Sequence, residues 1–89
     1  MSSLYLLSRC PDDLGLGLAA ADKGAKVALL QDGVLLDCAD LAAGGAEVYA
    51  LRPDAKRRGV VQRIPGPVRL IDYGELIALI VENRVISFA

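Results

Sequence analysis

The readiest nucleophiles in this chain are two thiols, Cys10 and Cys38, and there is no histidine anywhere in the sequence. Histidine-relayed mechanisms are therefore excluded, as is a tetrahedral zinc site completed within one chain. A thiol nucleophile remains, because sulfur attacks as the thiolate wherever its surroundings favour the anion. Cys10 stands in Ser8-Arg9-Cys10-Pro11, where a strand-like apolar run gives way to helix signals. A helix start favours the thiolate, whereas Asp12 and Asp13 oppose it. Cys38 follows Leu35, Leu36 and Asp37 and reads as a small buried hydrophobe in a short helix.

Three further groupings invite a ligand. Gly15-Leu16-Gly17-Leu18-Ala19-Ala20 spells G-x-G-x-x-A, and Asp32 follows about where a dinucleotide site keeps its ribose acid. That chemistry needs the first glycine to turn directly after the strand, but here both glycines fall inside the following helix, so no cofactor is expected. Gln31-Asp32-Gly33 breaks an apolar run at the carboxyl end of a strand and reads as a corner. The alternative is a ligand loop, with Asp32 as a candidate contact. Lys56, Arg57 and Arg58 form a basic cluster, with Arg52 and Arg63 nearby. Their place before Gly59 is accounted for by helix-end electrostatics, and a local contact with nucleic acid or an acidic partner is the functional alternative. Tyr49 and Tyr73 read as packing residues with a secondary role in subunit contacts.

The elements that must position these groups follow from hydrophobic period and punctuation. Apolar runs at Leu4–Ser8, Lys26–Leu30, Glu47–Leu51, Val68–Ile71 and Arg84–Phe88 predict five strands. Pro11 suits the first position of a helix that runs to about Lys23, and Pro53 opens a shorter one that ends before Gly59. Asp72 and Glu75 have capping-box spacing ahead of Leu76, Ile77, Leu79, Ile80 and Val81, so this last helix is expected to be buried on more than one side. Connections of more than a dozen residues suit right-handed crossovers, and unbroken apolar strands suit a sheet covered on both faces. The fold class is α/β, a small layered sandwich on a parallel sheet.

At 89 residues, one domain over 1–89 is the expectation, and a body this small has much surface for its interior. Its Ala, Val, Ile, Leu, Met, Phe, Cys and Gly content is about 61 per cent, against roughly 45–50 per cent in ordinary domains. Some of that surplus must lie exposed, so an oligomer is expected. The net charge of −1 and pI near 5.2 argue against holding nucleic acid by a whole-surface field. With no bilayer-length apolar run and no signal-peptide layout from Met1 onward, the chain reads as cytoplasmic and free of membrane contact.

Three strings, LLQDGV at 29–34, VYALRPDAKRRGV at 48–60 and LIDYGELIALI at 70–80, stand in a familiar order. With the Ser8–Pro11 strand end and a C-terminal aromatic at Phe88, the chain resembles the TusB/DsrH branch of the DsrE/DsrF/DsrH-like superfamily. The resemblance implies a DsrEFH-like three-layer α/β/α sandwich with a five-stranded parallel sheet of order 4-3-2-1-5. It also implies a heterohexamer, with DsrE/TusD-like and DsrF/TusC-like sister subunits, that passes persulfide sulfur to a downstream acceptor protein. Such relays serve 2-thiolation of the tRNA wobble uridine or dissimilatory sulfur oxidation.

In that family the principal sulfur carrier belongs to the DsrE/TusD-type subunit, so a structural or docking role is expected here. Some DsrH members carry a cysteine in the first helix, but Asp13–Ala21 holds none. Cys10 reads first as a small buried or inert residue; with the implied strand order, however, the loop after strand one opens at the reversal point of the sheet, which also makes Cys10 the candidate persulfide carrier. The alternatives are a self-assembling module that binds a small ligand near Cys10 and Asp32, and an enzyme with a thiolate nucleophile.

Overall fold

Strand alternation organises the molecule. The computed structural model describes residues 3–88. Its strands are β1 (Ser3–Leu7), β2 (Lys26–Leu29), β3 (Glu47–Leu51), β4 (Arg69–Ile71) and β5 (Arg84–Phe88). They form a parallel sheet of order β4-β3-β2-β1-β5, as the resemblance implied. Phe88 is described only through its backbone, which pairs with Leu7.

Successive side chains point to opposite faces, and the two cores divide accordingly. Tyr5, Leu7, Val27, Leu29, Val48 and Ala50 supply the larger core on one face. Leu4, Ala28, Leu51 and Ile71 supply the smaller core on the other. Strands therefore carry apolar groups both ways, which is why their sequences read as nearly unbroken runs.

The helices are α1 (Asp13–Ala21), α2 (Ala39–Ala43), α3 (Arg52–Arg57) and α4 (Tyr73–Glu82), with 3-10 turns at Gln31–Leu35 and Val61–Arg63. From β1 to β4 the chain advances across the sheet in one direction, so right-handed crossovers place α1, α2 and α3 on the first face. To pair β5 with β1 it must return, and α4 makes that crossing on the second face. The three-layer sandwich is thus a consequence of strand order.

Two expectations about these helices need correction. Pro11 does not open α1: Asp12 is the N-cap, its side chain accepting from the Gly15 N–H at 2.9 Å, and the helix begins at Asp13. A capping carboxylate satisfies a first-turn N–H, which proline cannot do, so the cap sets the boundary. Nor is α4 buried on more than one side; within it only Leu76 is buried. Among the described residues it is the one helix on its face, and nothing in them covers its outside. Its capping box forms as expected, with Glu75 N–H on Asp72 at 2.8 Å and Asp72 N–H on Glu75 at 3.4 Å. Pro53 sits in the first turn of α3, also as expected.

Candidate functional site

The break at Gln31-Asp32-Gly33 ties three elements together. Gln31 takes a left-handed φ of 51°, and its N–H donates to Asp54 Oδ2 of α3 at 2.7 Å. The Leu30 N–H reaches back to the Leu7 carbonyl at the end of β1, at 3.0 Å. Gly33 lies so close that an added Cβ would stand 1.8 Å from that same carbonyl oxygen. Glycine is required there by close approach, and the corner reading of the motif follows.

Asp54 is buried, and Arg57 one turn on approaches its other oxygen at 3.0 Å. The same guanidinium donates to the Tyr73 hydroxyl at 3.0 Å, which ties the corner through α3 to the first residue of α4. Asp32 meets Arg58 Nε at 2.8 Å, in an exposed pair whose stabilisation is about 0–1 kcal/mol. The structure therefore joins Asp32 with Arg58 and Arg57 with Asp54 and Tyr73, while Lys56 stays at the exposed end of α3. Nothing in the sequence singles out Asp54; an acid after a helix-opening proline does not announce a tertiary acceptor.

The two thiols differ sharply in setting. Cys10 is exposed and lies two residues before the Asp12 cap. Asp12 itself is buried; Arg9 stands 4.0 Å from its Oδ1, and its Oδ2 has no hydrogen-bond partner among the described residues. Cys38 is 1% exposed at the N-cap position of α2, and burial, with a smaller push from the Asp37 charge, drives its thiol up to about 11. A thiol so shifted is protonated at neutral pH and behaves as a small hydrophobe, as expected.

Both other buried or half-buried tyrosines keep their hydroxyls partnered, Tyr5 on Asp22 at 3.0 Å and Tyr49 on Glu47 at 3.1 Å. Burial and then the carboxylate partner raise both above the ordinary phenol value. Tyr73, expected to pack its ring, is instead half exposed.

The outer flank of α4 carries several large apolar side chains that the described residues leave exposed. Tyr73, Ile77, Ile80 and Val81 are 50, 60, 37 and 75% exposed. At about 100° per residue they form one stripe beside the inward-facing Leu76 and Leu79. The opposite flank, with Glu75 and Glu82, borders Tyr49 and Arg69 of β3 and β4. The apolar flank consequently faces the β1–β5 side of the sheet, where Val85, 38% exposed, stands in register with Leu4 on the same face. Helix and sheet together make an apolar shelf on a chain otherwise rich in paired charge.

Among the described residues no helix is long and apolar enough to cross a membrane, and no group of three or more acidic, cysteine or histidine ligands is gathered to hold a metal ion. The family described as DsrH like protein matches residues 8–86. The chain belongs to the DsrH-like family. Among its relatives, Protein TusB of Pectobacterium parmentieri is 40% identical over 88 residues, with 90% of this chain and 93% of the relative covered. Protein TusB of Pectobacterium carotovorum subsp. carotovorum (strain PC1) is 39% identical over 88 residues with the same coverage. In this DsrH-like chain the strings that carry the resemblance have structural roles: the corner, the α3 network and the α4 cap.

Proposed function

We propose that this chain, as a single DsrH/TusB-like domain over 1–89, is a docking subunit of a persulfide sulfur relay. Its sister subunits are of the DsrE/TusD and DsrF/TusC kinds, and the sulfur passes on to an acceptor protein for tRNA wobble-uridine 2-thiolation or for sulfur oxidation. Family membership supports the relay, and the relatives' name, TusB, favours the tRNA branch. The observation that carries the docking role is the shelf formed by Tyr73, Ile77, Ile80, Val81 and Val85. An exposed contiguous apolar surface of this kind marks a protein interface, and a sister subunit is the occupant that the family supplies.

No catalytic group of this chain is needed for that role. The buried thiol of Cys38 is unreactive, and of the basic cluster Arg57 and Arg58 are engaged with Asp54 and Asp32. The small-ligand alternative is weakened in the same way, since Asp32 is paired and Gly33 is packed on Leu7.

Reconstitution of the relay from separately purified subunits tests the proposal. Leaving this chain out should depress sulfur delivery, and Cys10→Ser should restore it as well as the natural chain. Ile77→Asp/Val81→Asp should not restore it. Loss of transfer with Cys10→Ser would make the chain a sulfur carrier, and full transfer with the α4 variant would remove the docking role.

A further inference from the structure

We propose a second docking site, on the opposite face of the sheet, for a basic segment of a partner protein that inserts a large apolar side chain. The site is the groove between α1 and α2. The proposal does not rest on the α4 shelf or on the sulfur-relay reading.

The groove exists because α2 is only five residues long, ends in Ala42-Ala43 and is followed by Gly44-Gly45. Side chains this small leave the space beside α1 unfilled, and about 620 Å³ stays open above Leu16, Ala20, Leu41 and Ala46. That volume is in the range of specific ligand pockets, roughly 300–1,000 Å³, and accepts one or two large apolar side chains. Gly24 and Ala46 line it just ahead of β2 and β3, so it opens at the amino-terminal end of the strands. Cys10 and the Gln31–Gly33 corner lie at the other end, and α4 on the other face.

The charge around the groove selects the occupant. Asp22, Asp37 and Asp40 stand on its rim, against Lys23 alone. Asp22 is the C-cap of α1, whose last turn has no basic residue. A helix C-terminus carries a partial negative charge and favours cations, so a carboxylate there works against the dipole. The Tyr5 hydroxyl holds Asp22 in that unfavourable place at 3.0 Å. Local rules are broken in this way where a partner supplies the compensation; here an arginine or lysine would meet the carboxylates and the helix end together. An acidic rim repels RNA and attracts a basic polypeptide.

Three probe peptides test this by amide shifts on the whole labelled chain: Gly-Arg-Phe-Leu-Arg-Gly, its analogue with glutamates for arginines, and its analogue with alanines for Phe-Leu. The basic apolar peptide should give saturable shifts at Leu16, Ala20 and Leu41, and the two analogues should not. Asp40→Lys, which changes an exposed side chain, should weaken binding by about tenfold, and Ala20→Trp should abolish it by filling the groove. Glu82→Lys, an equal charge change on α4, should leave it unaltered, and spectral dispersion reports folding of each variant. The proposal is overturned if the groove amides do not respond, if either analogue binds as well, or if Glu82→Lys weakens binding as much as Asp40→Lys.

Discussion

Replacing Gly33 by alanine adds one methyl group at the place where the end of β2 passes the end of β1. That Cβ would stand 1.8 Å from the Leu7 carbonyl oxygen and 2.7 Å from its carbon, whereas real Cβ atoms essentially never come within 3.0 Å of such neighbours. The two backbones must part by more than about 1 Å, and close-packed interiors do not absorb that. Separation breaks the Leu30 N–H bond to the same carbonyl and leaves a buried acceptor unpaired, at a cost of about 1–3 kcal/mol. Overpacking adds about 1–3 kcal/mol, so Gly33→Ala should destabilise by roughly 2–6 kcal/mol, a large part of the 5–15 kcal/mol typical of a whole domain. Gly17→Ala is the control: Gly17 lies within α1 with nothing inside 4 Å of an added Cβ, and alanine there should stabilise by about 0.5–1 kcal/mol. Urea unfolding of both variants reads the contrast. A Gly33→Ala chain within about 0.5 kcal/mol of the natural one, less than ordinary overpacking of a core costs, would refute the corner reading and reopen the motif as a ligand loop.

The Asp54 network predicts that Asp54→Ala costs about 2–3 kcal/mol in urea unfolding, because both carboxylate oxygens hold charge-assisted partners. Asp32→Ala, in an exposed pair, should cost less than about 1 kcal/mol; equal costs would contradict the assignment. Of the two thiols, Cys10 should react at once with a chromogenic disulfide in the native chain and Cys38 only on unfolding, so a single fast equivalent is expected and two would contradict the burial of Cys38. Because the folded pKa of Cys38 is raised from 9.0 to about 11, the unfolded chain gives up its proton first as pH rises. The stabilisation is whole below about 9 and is lost through 11, so the natural chain should lose about 1–2 kcal/mol more than Cys38→Ala between about pH 8 and 10.5; parallel pH profiles would contradict it.

Much of the architecture was legible because backbone chemistry announces it. Apolar runs marked all five strands to within a residue at each end, and Asp72 with Glu75 marked the start of α4. Pro11 misled, since a capping carboxylate one residue on set the true start of α1. The composition of α4 also misled: an almost unbroken apolar run from Leu76 to Val81 looks the same whether a helix is buried by its own chain or kept for another. Only the absence of a second helix on that face, among the described residues, decides. The surplus of apolar residues was visible in the sequence, but its address was not. Asp54 and the α1–α2 groove were invisible for a common reason, since both arise where residues distant in sequence meet. One is an acceptor brought to Gln31 by the β2–β3 pairing, the other a space left by short side chains on two separate helices.

Sedimentation velocity of the chain with purified sister subunits tests the central claim most directly. The natural chain should enter a defined hetero-assembly. In Ile77→Asp/Val81→Asp, two side chains that are 60 and 75% exposed in the isolated chain lose an association worth about 3 kcal/mol, roughly a hundredfold in Kd, while the monomer stays folded. A natural chain that remains a folded monomer beside every sister subunit, or an α4 variant that assembles as tightly as the natural chain, would contradict the account.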